Sequence, residues 1–425
     1  MTEPMTERRI AWGWVVLAAA GTFALTMGTR QSLALFISPL NSATGLGLAA
    51  ISLAFAIGQL AWGLTQPIAG ALADRLGAGR VLAVGVLLVA LGTALTPWMH
   101  TTAGLTLAVA VLGAGGAGMA GPAVLMATTT RLLPPERRPL ATGIVNAGGS
   151  IGQFLMAPLA GWLLATVGWA GALPIMGAMV LMALPAAWVL RGAPPASVPS
   201  PATPSPTASA SAPAPAPAPG PATARAALRE AWAVPSYRLL TAGFFVCGFH
   251  VAFLATHLPG VVASCGLPPA YAAWSLAVLG LANIAGSLSM GWAMTRWRMK
   301  HLLAAVYAVR AVAVVVFLLA PKTGAVMLTF AAVMGFSFLS TVPPTAGLVA
   351  KLCGVRHMAM LFGMVMLSHQ VGGFIGVWLG GQVFQATGDF TIVWWIDIAL
   401  AIGAALLHLP IHEPTAPARA ASAAA

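Results

Sequence analysis

Charged residues are scarce in this sequence. Only 7% of its 425 residues are Asp, Glu, Lys or Arg, whereas 59% are hydrophobic. A soluble domain carries about 25% charged residues, so this composition excludes an ordinary soluble fold over most of the chain. It indicates a protein that is embedded in a membrane along most of its length.

Two further scarcities exclude whole classes of chemistry. The three cysteines, Cys247, Cys265 and Cys353, are far apart and match no metal-binding or redox spacing. The sequence contains no G-x-x-x-x-G-K-[ST] phosphate-binding loop, so we expect no ATP hydrolysis. We therefore expect neither an enzyme nor a bound metal or cofactor, and any transport must be driven by a gradient.

Long apolar runs fill most of the chain. A helix needs about 20 apolar residues to cross a bilayer, and the sequence contains twelve such runs. They cover residues 11–38, 46–72, 79–98, 103–130, 139–164, 170–190, 236–262, 268–293, 300–320, 324–350, 357–385 and 391–411. The sequence therefore predicts an all-α membrane protein with twelve transmembrane helices.

The net charge of +12 follows the loops. The segments on the side of the two termini hold every Lys and Arg except Arg30, Arg310 and Lys322. Basic loops remain in the cytoplasm, so both termini are expected there. The basic excess is thus a topology signal, and it does not indicate nucleic acid binding.

A low-complexity stretch divides the spans into six and six. Residues 193–223, "APPASVPSPATPSPTASASAPAPAPAPGPAT", cannot bury a core. We predict an N-terminal six-helix bundle over residues 1–191, a disordered Pro/Ala-rich cytoplasmic linker over 192–235 and a C-terminal bundle over 236–425.

An offset of about 220 residues aligns the two halves, which indicates a duplicated unit with pseudo-symmetry. At this offset Gly28, Arg30 and Pro39 fall on Gly248, His250 and Pro259.

The loop between the second and third spans carries a motif. "GALADRLGAGR" (70–80) resembles the G-x-L-a-D-R-x-G-x-[RK] signature of the major facilitator superfamily. The resemblance implies two six-helix bundles that alternate access to a central site. It also implies a cytoplasmic gating motif. We expect Asp74 to pair with Arg75, Arg80 or a basic group of the next loop, and Gly70 and Gly77 to allow close packing and a turn. Merely solvated loop charges are the alternative, and the second half keeps Arg296 but has Thr295 in place of the acid.

Ionisable residues inside the spans are costly and usually functional. Here they are Arg30, His250, His257, Arg310, His369 and Asp397. Basic and imidazole groups outnumber the single acid, which suits a carboxylate ligand, because an arginine can hold it with two parallel hydrogen bonds.

Arg30 is the leading candidate for the substrate anion, and the repeat alignment predicts that His250 faces it across the cavity. His250 and His257 are proton-coupling candidates, since an imidazole titrates near pH 6.5. A packed neutral His250, or a gating role for His257, remains the alternative. Arg310 and Asp397 fall on helices that are peripheral in the resembled superfamily, so we predict a structural ion pair between them.

Uncharged polar residues complete the predicted site. With Arg30 and His250, the substrate-binding candidates are Gln59, Asn146, Gln153, Asn283 and His369. Residues of this kind either line a wet pathway or join helices through hydrogen bonds.

Two longer stretches resemble one branch of the superfamily. "FFVCGFHVAFLATHLPGVV" (244–262) and "MLSHQVGGFIGVWLGGQVFQATG" (366–388) are similar to bacterial relatives of the monocarboxylate porters and the oxalate:formate antiporters. The resemblance implies a small organic anion, either a mono- or a dicarboxylate. Relatives of this kind commonly carry a substrate-binding arginine on helix 8, where this chain has only Asn283 and Ser287.

The sequence thus predicts a secondary transporter of a small organic anion in the bacterial inner membrane, working as a monomer by alternating access. Proton symport is the first hypothesis. Anion exchange and export of drugs or metabolites are alternatives, and a transporter-like metabolite receptor is a remote one.

Overall fold

The computed structural model describes residues 12–191, 224–354 and 358–414. These residues form helices and short connections, and they contain no strand. In the first half the helices are α1 (Trp12–Ser32, continued by Leu33–Phe36 and Ile37–Thr44), α2 (Leu48–Leu76), α3 (Ala78–Leu95), α4 (Thr102–Leu105 through Pro122–Leu132), α5 (138–167) and α6 (169–189). In the second half they are α7 (Pro235–Ser264), α8 (Ala270–Ala293), α9 (Met299–Leu319), α10 (Gly324–Ser337 and Val342–Cys353), α11 (Met358–Thr387) and α12 (Thr391–His408).

The helices α5 and α6 form a continuous apolar segment, Leu140–Val189, of 50 residues. A helix of this length would be about 75 Å long, far more than one bilayer crossing requires. Gly168 lies in its middle with φ 71° and ψ 172°, which breaks the helix and reverses the chain. The 11 apolar segments that the described residues contain therefore make twelve spans, and the predicted all-α fold of two six-helix bundles is confirmed.

The duplication is visible in the backbone of the turns. Gly168 and Gly388, 220 residues apart, have φ of 71° and 80°, and Gly45 and Gly266 have φ of 65° and 69°. Only glycine adopts this left-handed region without a steric cost. Equivalent turns in the two halves thus share a conformation as well as a residue type.

Small residues let equivalent helix pairs pack closely in each bundle. A Cβ atom on Gly28 of α1 would lie 2.6 Å from the Gly152 carbonyl oxygen of α5. In the second bundle, a Cβ on Gly376 of α11 would lie 2.6 Å from the Phe249 carbonyl oxygen of α7. Contacts between backbones of this kind are typical of membrane helices.

Three helices, α3, α9 and α12, present apolar side chains to the outside of the molecule. Those with large exposed fractions are Val84, Leu87 and Leu91 on α3, Val312, Val316 and Leu319 on α9, and Ile402 and Leu406 on α12. An apolar exterior of this kind suits contact with lipid, so these helices support the bundles from the periphery.

The two bundles meet along α2 with α11 and along α5 with α8. We call the end of the molecule with Arg75, Arg80 and Arg131 the basic end, and the end with Lys322 the charge-poor end. At the charge-poor end, the Gln385 side-chain oxygen accepts a hydrogen bond from the Ala49 backbone N–H, with 2.8 Å between the heavy atoms. Gly381 of α11 also packs closely against Ser52 of α2, so the bundles are closed against each other at that end.

The predicted disordered linker extends too far. Residues 192–223 lie outside the described part of the chain, but Ala224–Ala233 forms a helix, which we call the linker helix. This stretch lacks proline and is rich in alanine, so it can form a helix where the preceding prolines cannot. It packs against α7 and α11, with Ala227 and Ala231 buried.

Candidate functional site

A cavity of about 860 Å³ lies between the two bundles. Helices α1, α2, α4 and α5 line one side, and α7, α8, α10 and α11 line the other. Its walls extend to Gly70 on α2 and Met360 on α11, which lie toward the basic end. Because the bundles are closed at the charge-poor end, the cavity faces the basic end.

Arg30 carries the only permanent charge among the described residues that line this cavity. It lies in the interior of α1, three residues before the segment Leu33–Phe36, in which the helix tightens. Its guanidinium donates a hydrogen bond to the side-chain oxygen of Gln59 and lies 4.9 Å from the centre of the Trp62 ring. These neutral partners on α2 hold the guanidinium plane and leave its charge uncompensated.

Five uncharged or imidazole side chains predicted from the sequence also line the cavity. They are Gln59, Asn146, Gln153, Asn283 and His369. Gln153 Nε2 and His369 Nδ1 are buried and have no hydrogen-bond partner in the protein. The cavity wall therefore offers unsatisfied polar atoms from both bundles.

Asn283 joins three helices. Its side-chain nitrogen donates to Ser150 Oγ of α5 at 2.8 Å, and its side-chain oxygen accepts from the Leu339 N–H of α10 at 3.0 Å. In the region of helix 8 where the resembled transporters carry an arginine, this chain thus has a neutral side chain that bridges the two bundles.

His250 does not line the cavity, so the prediction that it faces Arg30 is wrong. Its side chain is 1% exposed and points toward α12, with Nε2 at 3.2 Å from Asp397 Oδ1. Its neighbour Val251 lines the cavity instead. The repeat alignment gives the depth of a residue along the helix, but one position in sequence rotates the side chain by about 100°.

The predicted direct ion pair between Arg310 and Asp397 is also replaced by other contacts. Arg310 Nη2 donates to the carbonyl oxygens of Ser337 at 2.5 Å and Phe338 at 2.9 Å. These carbonyls are free because α10 is interrupted between Ser337 and Val342. The neighbour of Asp397 is instead His250, whose Nε2 lies 3.2 Å from Asp397 Oδ1.

His257 lies outside the cavity lining as well. Its Nε2 is 2.9 Å from the Val377 carbonyl oxygen of α11, and its ring packs against Phe253 and Phe390. The side chain is buried and bonded to the backbone, so it contributes to the packing between α7 and α11.

The loop motif forms an ion pair at the basic end. Asp74 pairs with Arg131 at the end of α4, with side chains 57% and 59% exposed. Both residues belong to the first bundle, so this pair does not join the two bundles. Gly77 adopts φ 91° at the turn into α3. Gly70 differs from the prediction of close helix packing, because no atom lies within 4 Å of where its Cβ would be.

Three other basic residues of the motif region are at the surface. Arg75 and Arg80 are exposed, and the guanidinium of Arg296 stacks 4.0 Å from the centre of the Trp292 ring. The second half thus has a cation–π contact near the position where the first has an ion pair.

Trp62 and Gln370 are among the lining residues that were not predicted from the sequence. Trp62 lies three positions after Gln59 and so shares its helix face. Gln370 follows His369 directly, and both its side-chain polar atoms are buried without a hydrogen-bond partner. Over residues 12–191, 224–354 and 358–414, no cluster of three or more His, Cys, Asp or Glu side chains is placed to hold a metal ion.

The chain resembles known transporters in sequence. The sequence model of the Major Facilitator Superfamily matches residues 19–376 and 240–424. Monocarboxylate transporter 11 of Homo sapiens is 30% identical over 419 residues, which cover 94% of this chain and 82% of that protein. Monocarboxylate transporter 13 of Rattus norvegicus is 28% identical over 404 residues, covering 94% of this chain and 89% of that one.

Solved structures agree with the fold at lower identity. The nucleoside transporter NupG superposes with a TM-score of 0.75 at 14% identity, covering 94% of this chain and 100% of that chain. A bacterial homologue of the human lysosomal transporter Spinster, in an inward-facing conformation, superposes with a TM-score of 0.67 at 16% identity, covering 96% and 95%. The sequence match, the two six-helix bundles and the central cavity together show that this chain is a membrane transporter, not an enzyme, and belongs to the Major Facilitator Superfamily.

Proposed function

We propose that this protein carries a small monocarboxylate across the membrane by alternating access, with Arg30 binding the carboxylate. The observation that carries the proposal is the charge of the cavity. Arg30 is the one permanent charge on the described lining, and its partners Gln59 and Trp62 are neutral. The sequence similarity to proteins named monocarboxylate transporters supports the same ligand class.

The chemistry of the guanidinium fits one carboxylate. Its planar fork presents five N–H donors and binds a carboxylate through two parallel hydrogen bonds. Gln59 accepts one hydrogen bond from it, which leaves donors for the ligand. A dicarboxylate would place its second charge against neutral amides such as Gln153 and Asn146, so a single carboxylate is favoured.

The basic end is the cytoplasmic end in this proposal, because basic loops remain in the cytoplasm. The described conformation is then inward-facing. The bilayer would be the bacterial inner membrane, a proposal that rests on the resemblance of residues 244–262 and 366–388 to bacterial transporters. Each chain encloses a complete cavity between its own two bundles, so a monomer suffices for transport.

Proton symport is the preferred coupling, and anion exchange is the second candidate. One observation favours exchange: the described cavity lining contains no carboxylate that would carry a proton beside the anion. Symport therefore requires a proton site elsewhere in the protein. Export of lipophilic cations is disfavoured by the positive charge of Arg30, and the remote receptor hypothesis has no structural support.

Uptake by Arg30→Gln tests the ligand assignment. The variant should lose at least about 30-fold in monocarboxylate uptake into proteoliposomes, because removing one partner of a desolvated ion pair costs about 2–5 kcal/mol. Arg238→Gln changes an exposed arginine on α7 outside the cavity and should transport normally. Near-wild-type uptake by Arg30→Gln, at equal expression and with a monodisperse elution profile, would overturn the assignment.

A further inference from the structure

A cluster of buried ionisable groups lies in the second bundle outside the cavity. It contains His250 of α7, Asp397 of α12 and Arg310 of α9, each 1% exposed. His250 Nε2 and Asp397 Oδ1 are 3.2 Å apart. Among the described residues, Asp397 is the one acidic residue that is buried within a transmembrane helix, since Asp74 of α2 is exposed at the basic end. Buried charges of this kind are retained in membrane proteins chiefly for function.

Arg310 is fixed by groups other than this acid. It donates to the Ser337 and Phe338 carbonyls, to Ser337 Oγ at 3.2 Å, and to Cys247 Sγ at 3.6 Å. All of these acceptors are neutral, so they satisfy the hydrogen bonds of the guanidinium but not its charge. Among the described residues, Asp397 is the one buried carboxylate of the second bundle's helices, and it is therefore the group that can balance this charge.

The other titratable neighbours are mostly committed to the backbone. Tyr307 of α9 donates to the Gly243 carbonyl oxygen at 2.8 Å, and His408 Nδ1 of α12 lies 2.7 Å from the carbonyl oxygen of its own helix at Ala404. Cys247 of α7 lies 3.1 Å from Thr341 Oγ1. In contrast, both carboxylate oxygens of Asp397 and both ring nitrogens of His250 make no hydrogen bond.

Residues of the cavity wall also adjoin this cluster. Val251, directly after His250, lines the cavity, and so does Phe338, whose carbonyl binds Arg310. His369 of α11 also lines the cavity, and its imidazole lies beside Cys247. A charge change in the cluster therefore acts on a ligand in the cavity through low-dielectric protein, where it is screened less than in water.

We propose that the His250–Asp397 pair is the proton-binding site of this transporter. The inference rests on the proposed function as a carrier of a carboxylate anion. With His250 neutral, Arg310 and Asp397 balance each other. A proton bound between His250 Nε2 and Asp397 Oδ1 gives the cluster one net positive charge, and no other bond forms or breaks.

That positive charge couples the proton to the substrate. An anion in the cavity stabilises the protonated cluster, and by thermodynamic reciprocity the proton raises the affinity for the anion by the same factor. The two ligands then bind and leave together, as symport requires. The proton site belongs to the second bundle, while the permanent cation for the anion belongs to the first.

The transport test compares uptake driven by a proton gradient with counterflow exchange, both in proteoliposomes. The substrate is whichever of lactate, pyruvate, butyrate and phenylpyruvate the wild type takes up best. Wild-type protein should accumulate it under an inward proton gradient and also exchange it in counterflow. His250→Gln and Asp397→Asn should lose gradient-driven accumulation at least tenfold and keep counterflow. His257→Gln is the matched control, because it changes a buried histidine of the same helix that is bonded to the backbone, and it should keep both activities.

The outcomes separate the two proposals. If the wild type transports none of the four acids, the proposed function fails, whatever the variants do. If the wild type responds to the proton gradient and His250→Gln responds equally, only the proton site is wrong. Wild-type transport without any response to the gradient also overturns the proton site and supports exchange.

A second measurement covers the case in which Asp397→Asn does not fold. The purified wild-type protein is mixed with the same acid in weakly buffered solution, and proton uptake is read with a pH-sensitive dye. About one proton should be taken up for each anion bound, and His250→Gln should take up none while His257→Gln matches the wild type. Anion binding by the wild type without proton uptake would overturn the inference.

Discussion

At the residue scale, Arg30 depends on neighbours that orient it without neutralising it. Gln59 accepts a hydrogen bond from the guanidinium, and the Trp62 ring lies beside it at 4.9 Å. A carboxylate in place of either would compete with the ligand. The neutrality of these partners is thus part of the binding site.

Replacing Gln59 by Glu tests this dependence. The new carboxylate should form an internal ion pair with Arg30 and raise the KM for the transported anion at least about tenfold, since a hydrogen bond to a charged group contributes about 1.5–3 kcal/mol. The measurement is concentration-dependent uptake. Gln66→Glu is the control, because Gln66 lines the same cavity two helical turns away and should raise KM much less. Equal effects of the two variants would contradict a specific role for Gln59.

The polar residues of the site show how much of it can be predicted from the sequence. The polar candidates Gln59, Asn146 and Asn283 all line the cavity. A polar side chain in an apolar span avoids lipid, so it faces either a cavity or a neighbouring helix. His250 was assigned to the wrong face, since the repeat fixes depth and not rotation. Its pairing with Asp397 depends on how α7 and α12 pack, which a single sequence does not encode in any local pattern.

At the scale of helices, interruptions supply the backbone groups that fix polar side chains. Helix α10 is broken before Pro343 and Pro344, and its free carbonyls accept from Arg310. Helix α4 is broken before Pro122, and the Ala120 carbonyl there accepts from Thr26 Oγ1 at 3.3 Å. In both bundles a side chain donates a hydrogen bond to a backbone carbonyl oxygen that a helix break next to proline leaves without a partner in the helix.

The close packing of α1 and α5 predicts an unequal response of two glycines on one helix. In Gly152→Ala the new Cβ would overlap the Ala24 backbone, so overpacking should cost about 1–3 kcal/mol and lower the melting temperature in detergent. Gly143→Ala has no atom within 4 Å of the new Cβ and should be neutral or stabilising, because alanine favours a helix over glycine. Equal melting temperatures of the two variants would contradict the contact between α1 and α5.

At the scale of the molecule, the bundles are joined at the charge-poor end and open at the basic end. Gln385 and Ala49 bridge the bundles at the charge-poor end. At the basic end, Gly70 and Gly363 line opposite walls of the cavity, and each has open space around its Cβ position. Transport requires this arrangement to invert.

Cross-linking tests which end is closed. With Cys265 and Cys353 replaced by serine, Ala49→Cys/Gln385→Cys should react with a short bis-maleimide and lose transport, because the two bundles are then locked at the charge-poor end. The pair Gly70→Cys/Gly363→Cys at the basic end should cross-link poorly in the same conditions. Mobility on a denaturing gel after cleavage of the linker reads out the cross-link. Efficient cross-linking only at the basic end would mean that the opposite conformation prevails.

The architecture was more accessible to sequence reasoning than the arrangement of the site. Twelve apolar runs and the side bias of Lys and Arg each reflect a constraint that the bilayer imposes on the whole chain, and the 220-residue repeat reflects a duplicated unit. The linker helix was missed because its ten residues follow a long Pro/Ala-rich stretch and were read with it. The boundary is visible in the composition, because proline ends at Pro221 and the following stretch is rich in alanine.

The turn at Gly168 has a consequence for how the protein is made. No hydrophilic segment separates α5 from α6, since the apolar stretch runs unbroken through Leu140–Val189. During synthesis no polar loop has to be translocated between these two spans. They can therefore enter the bilayer together as one helical hairpin that turns back at Gly168.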